Sequence, residues 1–222
     1  MKKLYVALIT PFTLLNEIDY VSLDKIVYRL INEGVDGFVI SGTTGESSTM
    51  NDNEKIELLK HVIAVVNHRC EIYFGIGSNN TCDSMRLLKL SEELDFDGYL
   101  IVTPYYNQPT QYGLYEHFST LACETKKNII LYNVPSRTGV SLTANTVIKL
   151  ANGYPNIIAL KQASKDLEMV KEILLKTKAE TVNHAFCEDV GSKKDWIQTG
   201  AEPWSHIEKK VTLLDGNYYK YK

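Results

Sequence analysis

Short apolar runs alternate with amphipathic stretches along most of this chain, and that rhythm restricts the fold more than any other feature. The apolar runs are LYVALITPF (4–12), GFVISG (37–42), EIYFGIG (71–77), GYLIVTP (98–104), NIILYNVP (128–135) and NIIALKQA (156–163). Stretches with helical spacing follow them at 22–34, 53–67, 84–94, 112–124, 143–152 and 167–178. Six strand and helix pairs in about 180 residues have the spacing of a right-handed βα array. The runs are nearly continuous in apolar character rather than alternating, as strands of a parallel sheet covered by helices must be. Asp36-Gly37 and Asp97-Gly98 each open a run after an acidic amphipathic helix, so one supersecondary unit recurs two units apart. A doubly wound open sheet is the competing arrangement. Its first strand normally leads into a GxGxxG turn, which is missing here, and polar residues crowd the carboxyl ends of several runs. The pattern therefore predicts an α/β protein of the (β/α)8, or TIM-barrel, class.

The rhythm breaks near residue 180 of the 222. Residues 1–180 read as a barrel portion of six βα units, and 181–222 as an atypical tail with a candidate seventh strand, VNHAFC, at 182–187. VTLL (211–214) is too short for a convincing eighth strand and runs at once into the turn signal Asp215-Gly216. The barrel is thus expected to be incomplete or unusual at its C-terminal end. A hydrophobic content of 44% with 23% charged residues fits a folded globular chain and excludes disorder as the main state. A net charge of -3 is too balanced for a nucleic-acid binder, and no apolar run has the length needed to span a bilayer. Met1-Lys2-Lys3 leads quickly to Pro11 with no small-residue cleavage site, so a first buried strand is expected rather than a leader. Cys70, Cys82, Cys123 and Cys187 lack zinc-like spacing, which predicts reduced thiols in the cytoplasm and no metal site.

Several strand ends carry groups able to do chemistry. Lys161 sits near the end of NIIALKQA; burial there would disfavour the ammonium form and leave an amine able to condense with a ketone. A strand-end lysine can equally reach out to solvent. Gly42-Thr43-Thr44-Gly45-Glu46 follows the second run, where glycines let backbone N–H groups turn inward and threonine hydroxyls add donors for a small 2-oxo acid's carboxylate. The same loop could simply cap the next helix. Tyr132 closes the fifth run and is placed to relay protons, or else is a core aromatic; Arg137, five residues on, is placed to clamp a carboxylate. Thr103-Pro104-Tyr105-Tyr106-Asn107 ends the fourth run in the same manner. Four strand ends bearing polar or ionisable groups point to a site at the carboxyl face of a barrel.

Taken together, GTTGES (42–47), TPYYNQP (103–109), YNVPSRTG (132–139) and IIALKQA (157–163) resemble the dihydrodipicolinate synthase and N-acetylneuraminate lyase family of pyruvate-dependent class I aldolases. The resemblance covers about residues 4–180, with four motifs in the family's order, and Arg137 and the PYYN form are those of the synthase branch. It implies that Lys161 forms a Schiff base with pyruvate and that Tyr132 is the acid and base acting on the imine. It implies that Thr43 links Tyr132 to Tyr106, which reaches a neighbouring subunit's site. Thr43 and Thr44 would bind the pyruvate carboxylate, and Arg137 would guide L-aspartate 4-semialdehyde. The product would be 4-hydroxy-tetrahydrodipicolinate, in lysine and diaminopimelate biosynthesis, with no metal, no dissociable cofactor and a dimer or tetramer as the working form. An allosteric lysine site would involve Ser47, Ser48, Asn79, Asp83 and Tyr105. Asp52 and Lys55 stand where inhibited members often carry histidine, a departure that weighs against feedback. Two alternatives stay open: a related lyase acting on N-acetylneuraminate or a 2-keto-3-deoxy sugar acid, and a truncated non-catalytic remnant.

Overall fold

A computed structural model describes residues 3–164 and 166–177 of the chain. Six strands, β1 (Tyr5–Ala7), β2 (Gly37–Ile40), β3 (Glu71–Gly75), β4 (Gly98–Val102), β5 (Asn128–Asn133) and β6 (Ile157–Gln162), form one sheet. Their spatial order is their order in sequence and every pairing is parallel. Helices α1 (Tyr20–Asn32), α2 (Asp52–Val66), α3 (Thr81–Ser91), α4 (Gln111–Cys123), α6 (Ala144–Gly153) and α7 (Leu167–Lys176) follow the successive strands, with a short α5 (Pro135–Thr138) directly after β5. This is the topology of consecutive units of a parallel barrel. The tail at 181–222 and its candidate strand at 182–187 lie outside the described residues.

Local chemistry sets the element boundaries. The six longer helices all begin behind an Asp, Asn or Thr whose side chain accepts a hydrogen bond from a first-turn amide. Asn51 and Glu54 complete a reciprocal capping box on α2. In α1, Leu23, Ile26, Val27 and Leu30 recur at helical spacing and are buried, each contributing roughly 1.5–3 kcal/mol of apolar transfer. The first apolar run is a strand over only Tyr5–Ala7, because Pro11 has no N–H to pair and the chain doubles back through an antiparallel bridge between Phe12 and Ile18. Pro135 at the first helical position starts α5, an element the apolar pattern does not announce.

The two Asp-Gly pairs are braces. Asp36 accepts from Leu4 N through its carboxylate (2.6 Å), and Asp97 accepts from Ile72 N in the same way (2.8 Å). Each aspartate also bonds through its own backbone to both neighbouring strands: Asp36 N to Leu4 O and Glu71 N to Asp36 O, then Asp97 N to Ile72 O and Asn128 N to Asp97 O. The glycines beside them are obligatory, since a Cβ on Gly98 would lie 2.2 Å from Asn128 O and one on Gly37 2.7 Å from Glu71 O. The recurrence two units apart is therefore a structural period.

The sheet separates two apolar layers. Outward residues such as Phe38, Phe74, Ile101, Leu131 and Leu160 pack under the helices. Inward residues Val39, Tyr73, Leu100, Ile130, Tyr132, Val134 and Ala159 form a second, smaller cluster. At the amino end of this inner side Glu71 accepts hydrogen bonds from Lys3 and Tyr5. Burial pushes the Tyr5 and Tyr73 phenols up; it also pushes Glu71 up, but the bonds from Lys3 and Tyr5 outweigh it and hold the carboxyl low. β5 and β6 pair with one irregularity: Ile129 faces Ile157, but Ile130 faces Ala159, leaving Ile158 as an extra residue.

Candidate functional site

Tyr132 and Lys161 are register partners on neighbouring strands, and Val102 is the partner of Tyr132 on the other side. Strand alternation turns all three to the inner face near the carboxyl ends of β4, β5 and β6. Lys161 is 3% exposed and its Nζ lies 4.0 Å from the centroid of the Tyr132 ring. The amine thus stands over an aromatic face in a nearly water-free setting, not at the solvent-reaching strand end that sequence alone left open. Ser41, Thr103 and Tyr132, at the ends of β2, β4 and β5, each hold a buried hydroxyl without a hydrogen-bond partner among the described residues. An unpaired buried hydroxyl is unfavourable by roughly 1–3 kcal/mol, so these groups are ready to receive a ligand or water.

The Gly42–Glu46 loop lies beside them. Ser41 and Glu46 take left-handed φ values (53° and 55°), and Ser47 N closes the turn on Gly42 O at 3.3 Å. Thr10, three residues past β1, pins the loop by donating from Oγ1 to Gly45 O (2.7 Å). Gly45 has no room for a side chain, because a Cβ there would come within 2.9 Å of Leu8 O. Thr43 is exposed at the loop's turn, while Thr44 is half-buried. Arg137 rides on α5, exposed and adjacent to the left-handed Gly139.

Thr43 and Arg137 both line a cavity of about 490 Å³. Ser47, Ser48, Asp83 and Tyr105 line it as well, together with Asp52, Lys55 and Arg86. Arg86 bonds Asp52 at 2.8 Å and Asp83 at 2.9 Å, which ties α2 to α3 along the cavity lining. Burial, with Arg86 close by, lowers the pKa of the half-buried Lys55 against the opposing pull of Asp52. Asn79 is not part of this lining; its carbonyl accepts from Asn107 Nδ2 at 3.0 Å.

The structure brings Thr43 and Arg137 into one cavity and Lys161 and Tyr132 into one inner layer. Tyr106 stands beside that cavity with its side chain outside it: it is 89% exposed, at φ 73°, and its N bonds to the O of Thr138, a lining residue, at 3.3 Å. No Thr43 hydrogen bond to Tyr132 is present, since the Tyr132 hydroxyl has no partner among the described residues. Thr10, Asn133 and Gln162 were missed in the sequence. Thr10-Pro11 repeats the Thr103-Pro104 strand ending, which was the available signal for Thr10. Among the described residues no group of three or more His, Cys, Asp or Glu side chains could hold a metal ion, and no helix is long and apolar enough to cross a membrane.

Fold and site together define a parallel β/α protein that carries its functional groups at the carboxyl ends of its strands. Comparison with known proteins refines this. The profile of the Dihydrodipicolinate synthetase family matches residues 1–204, past the last recognisable motif, and the chain belongs to that family. It is 45% identical over 171 residues to 4-hydroxy-tetrahydrodipicolinate synthase of Bacillus subtilis (strain 168), covering 77% of this chain. The match spans 59% of the length of that relative. The 4-hydroxy-tetrahydrodipicolinate synthase of Methylacidiphilum fumariolicum SolV superposes with a TM-score of 0.84 at 36% identity, covering 90% of this chain and 66% of that one. A dihydrodipicolinate synthase from Cyanidioschyzon merolae with lysine bound gives a TM-score of 0.84 at 37% identity, covering 90% and 67%.

Proposed function

We propose that this chain carries the catalytic residues of a Schiff-base-forming synthase that condenses pyruvate with L-aspartate 4-semialdehyde to 4-hydroxy-tetrahydrodipicolinate. The observation that carries this reading is the buried Lys161 amine 4.0 Å from the Tyr132 ring at the carboxyl end of a parallel sheet. In its neutral form the Lys161 amine attacks the pyruvate ketone, and loss of water leaves a protonated imine. That cation draws electrons from the methyl carbon, which gives up a proton to form an enamine. The enamine carbon adds to the aldehyde, whose oxygen takes a proton. The bound semialdehyde's own amine then attacks the imine carbon, releases the lysine and closes the ring. Tyr132 moves the protons, which suits a hydroxyl with no competing partner among the described residues.

The Thr43–Thr44 loop is our candidate for the pyruvate carboxylate, and Arg137, in the same cavity as Thr43, for the semialdehyde's carboxylate. Tyr106, projecting from the surface, is our candidate for completing a neighbouring copy's site, with a dimer or tetramer as the working form and an eight-stranded barrel as the complete fold. Borohydride reduction in the presence of pyruvate tests the central step. Mass spectrometry of the digested chain should find a stable adduct on Lys161. An adduct on a different lysine, or none, would sink the reading.

A further inference from the structure

Strands β5 and β6 can pair in two ways, and only one of them brings Lys161 to Tyr132. If the pairing of Ile129 with Ile157 simply continued, Leu160 would face Tyr132 and Lys161 would turn to the outer, helix-covered side. The observed strand instead carries Ile158 as an extra residue. Ile157 packs in the outer layer, Ile158 and Ala159 both lie against the inner cluster, Leu160 returns outward and Lys161 faces in. Such a bulge is a local defect that a one-residue slip would remove.

Past the bulge the register is held by a buried amide pair. Asn133 and Gln162 are partners directly after Tyr132 and Lys161, 0% and 5% exposed. Asn133 Nδ2 donates to Gln162 Oε1 at 3.0 Å, and Asn133 Oδ1 accepts from Leu142 N at 3.0 Å. Gln162 Nε2 donates to Ser164 Oγ at 2.6 Å, and Ala163 N reaches Asn133 O at 2.9 Å. Both amides sit on the outer side, among the connection to α6 and Met169 of α7, away from the inner layer where a substrate would bind. A slip by one residue would break the bond between the two amides and leave the buried Gln162 Oε1 without its partner, a penalty of roughly 1–3 kcal/mol.

We infer that Asn133 and Gln162 are positioning residues: their amide pair locks the bulged register of β6 and thereby holds Lys161 beside Tyr132. The inference rests on the reading of Lys161 as the Schiff-base lysine. The variant Gln162→Met keeps the side chain's length and removes every bond of its amide, to Asn133, Ser164 and Met169. In the full-length chain it should lower the rate of pyruvate-dependent borohydride trapping at Lys161 by about 10- to 100-fold, as a displaced reacting group does, while far-UV circular dichroism stays native. Deleting Ile158 in that variant abolishes the competing register, so trapping should return to within about threefold of wild type. A purely structural loss would not be repaired by a deletion. A folded Gln162→Met chain that traps pyruvate at the wild-type rate overturns the inference, as does failure of the deletion to restore trapping.

If Gln162→Met does not fold, Gln162→Glu takes its place, because it keeps an acceptor opposite Asn133 Nδ2; it should trap within about threefold of wild type. Loss as complete as in Lys161→Ala overturns the proposal. Should the wild-type chain itself fail to trap at Lys161, the aldolase reading falls, and amide hydrogen exchange still decides the lock. Exchange at Lys161–Ala163 must then quicken on loss of the amide pair beyond any change in global stability, and unchanged exchange overturns it.

Discussion

Lys161 and Tyr132 divide the proposed chemistry between a nucleophile and a proton carrier, and substitutions should separate the two. Lys161→Ala should abolish trapping, whereas Tyr132→Phe should still form the imine but lower steady-state turnover by about 10²- to 10⁴-fold. Equal, complete loss of trapping in both variants would contradict this division. A second residue sets a pH limit. His117 is 4% exposed, shares a 2.8 Å hydrogen bond between its Nδ1 and Thr81, and leaves Nε2 without a partner among the described residues. Burial pushes its pKa down to about 4 from 6.5. Between those values the unfolded chain binds a proton that the folded chain refuses, so stability rises with pH across the window and the loss saturates below it. The full effect is about 3 kcal/mol. Urea unfolding between pH 4 and 7 should show this slope, and His117→Phe should flatten it. A variant that keeps the wild-type slope would move the cause to another group.

The α2–α3 wall bears on regulation. Arg86 already engages both Asp52 and Asp83, while Lys55 presents a half-buried amine to the same cavity. A lysine effector entering there would bring two ammonium groups, against one carboxylate, towards two cations whose nearest carboxylates are already engaged. Millimolar lysine should therefore change the rate of the proposed condensation by less than about twofold. Strong inhibition at submillimolar lysine would refute this. At this same scale the sequence was most readable. All six strands fall inside the predicted runs, and the six longer helices overlap theirs with ends displaced by up to three residues, because continuous apolar runs and helical spacing leave few other solutions while caps set the helix ends. The bulge at Ile158 was hidden, since an apolar run looks the same with or without an extra residue. Asn133 and Gln162 were hidden for a related reason: each stands in a recognised motif, and their mutual bond depends on a register the sequence does not display. The motifs at 42–47, 132–139 and 157–163 supply the residues gathered at the candidate site, while Tyr106, expected from the sequence to reach a neighbouring subunit, is exposed on this chain.

For the whole molecule, the outward Tyr106 sets up a test across subunits. If it completes a neighbour's site, a mixture of inactive Tyr106→Phe and inactive Lys161→Ala chains, refolded together, should regain activity. A mixed pair holds one intact site, so about a quarter of the wild-type rate is expected from random 1:1 pairing. No recovery in verified hybrids would confine Tyr106 to its own chain. The aspartate braces carry another consequence. Because Asp36 joins the first three strands and Asp97 joins β3, β4 and β5 in the same fashion, the sheet is divisible into interchangeable pairs of βα units. A graft or duplication that exchanges two units at a time keeps every brace in phase, whereas moving a single unit breaks the alternation of strands opened by an aspartate with strands that are not. The chain is in that sense modular in pairs, and a recombination library built from it should be cut at β1 and β3 rather than between.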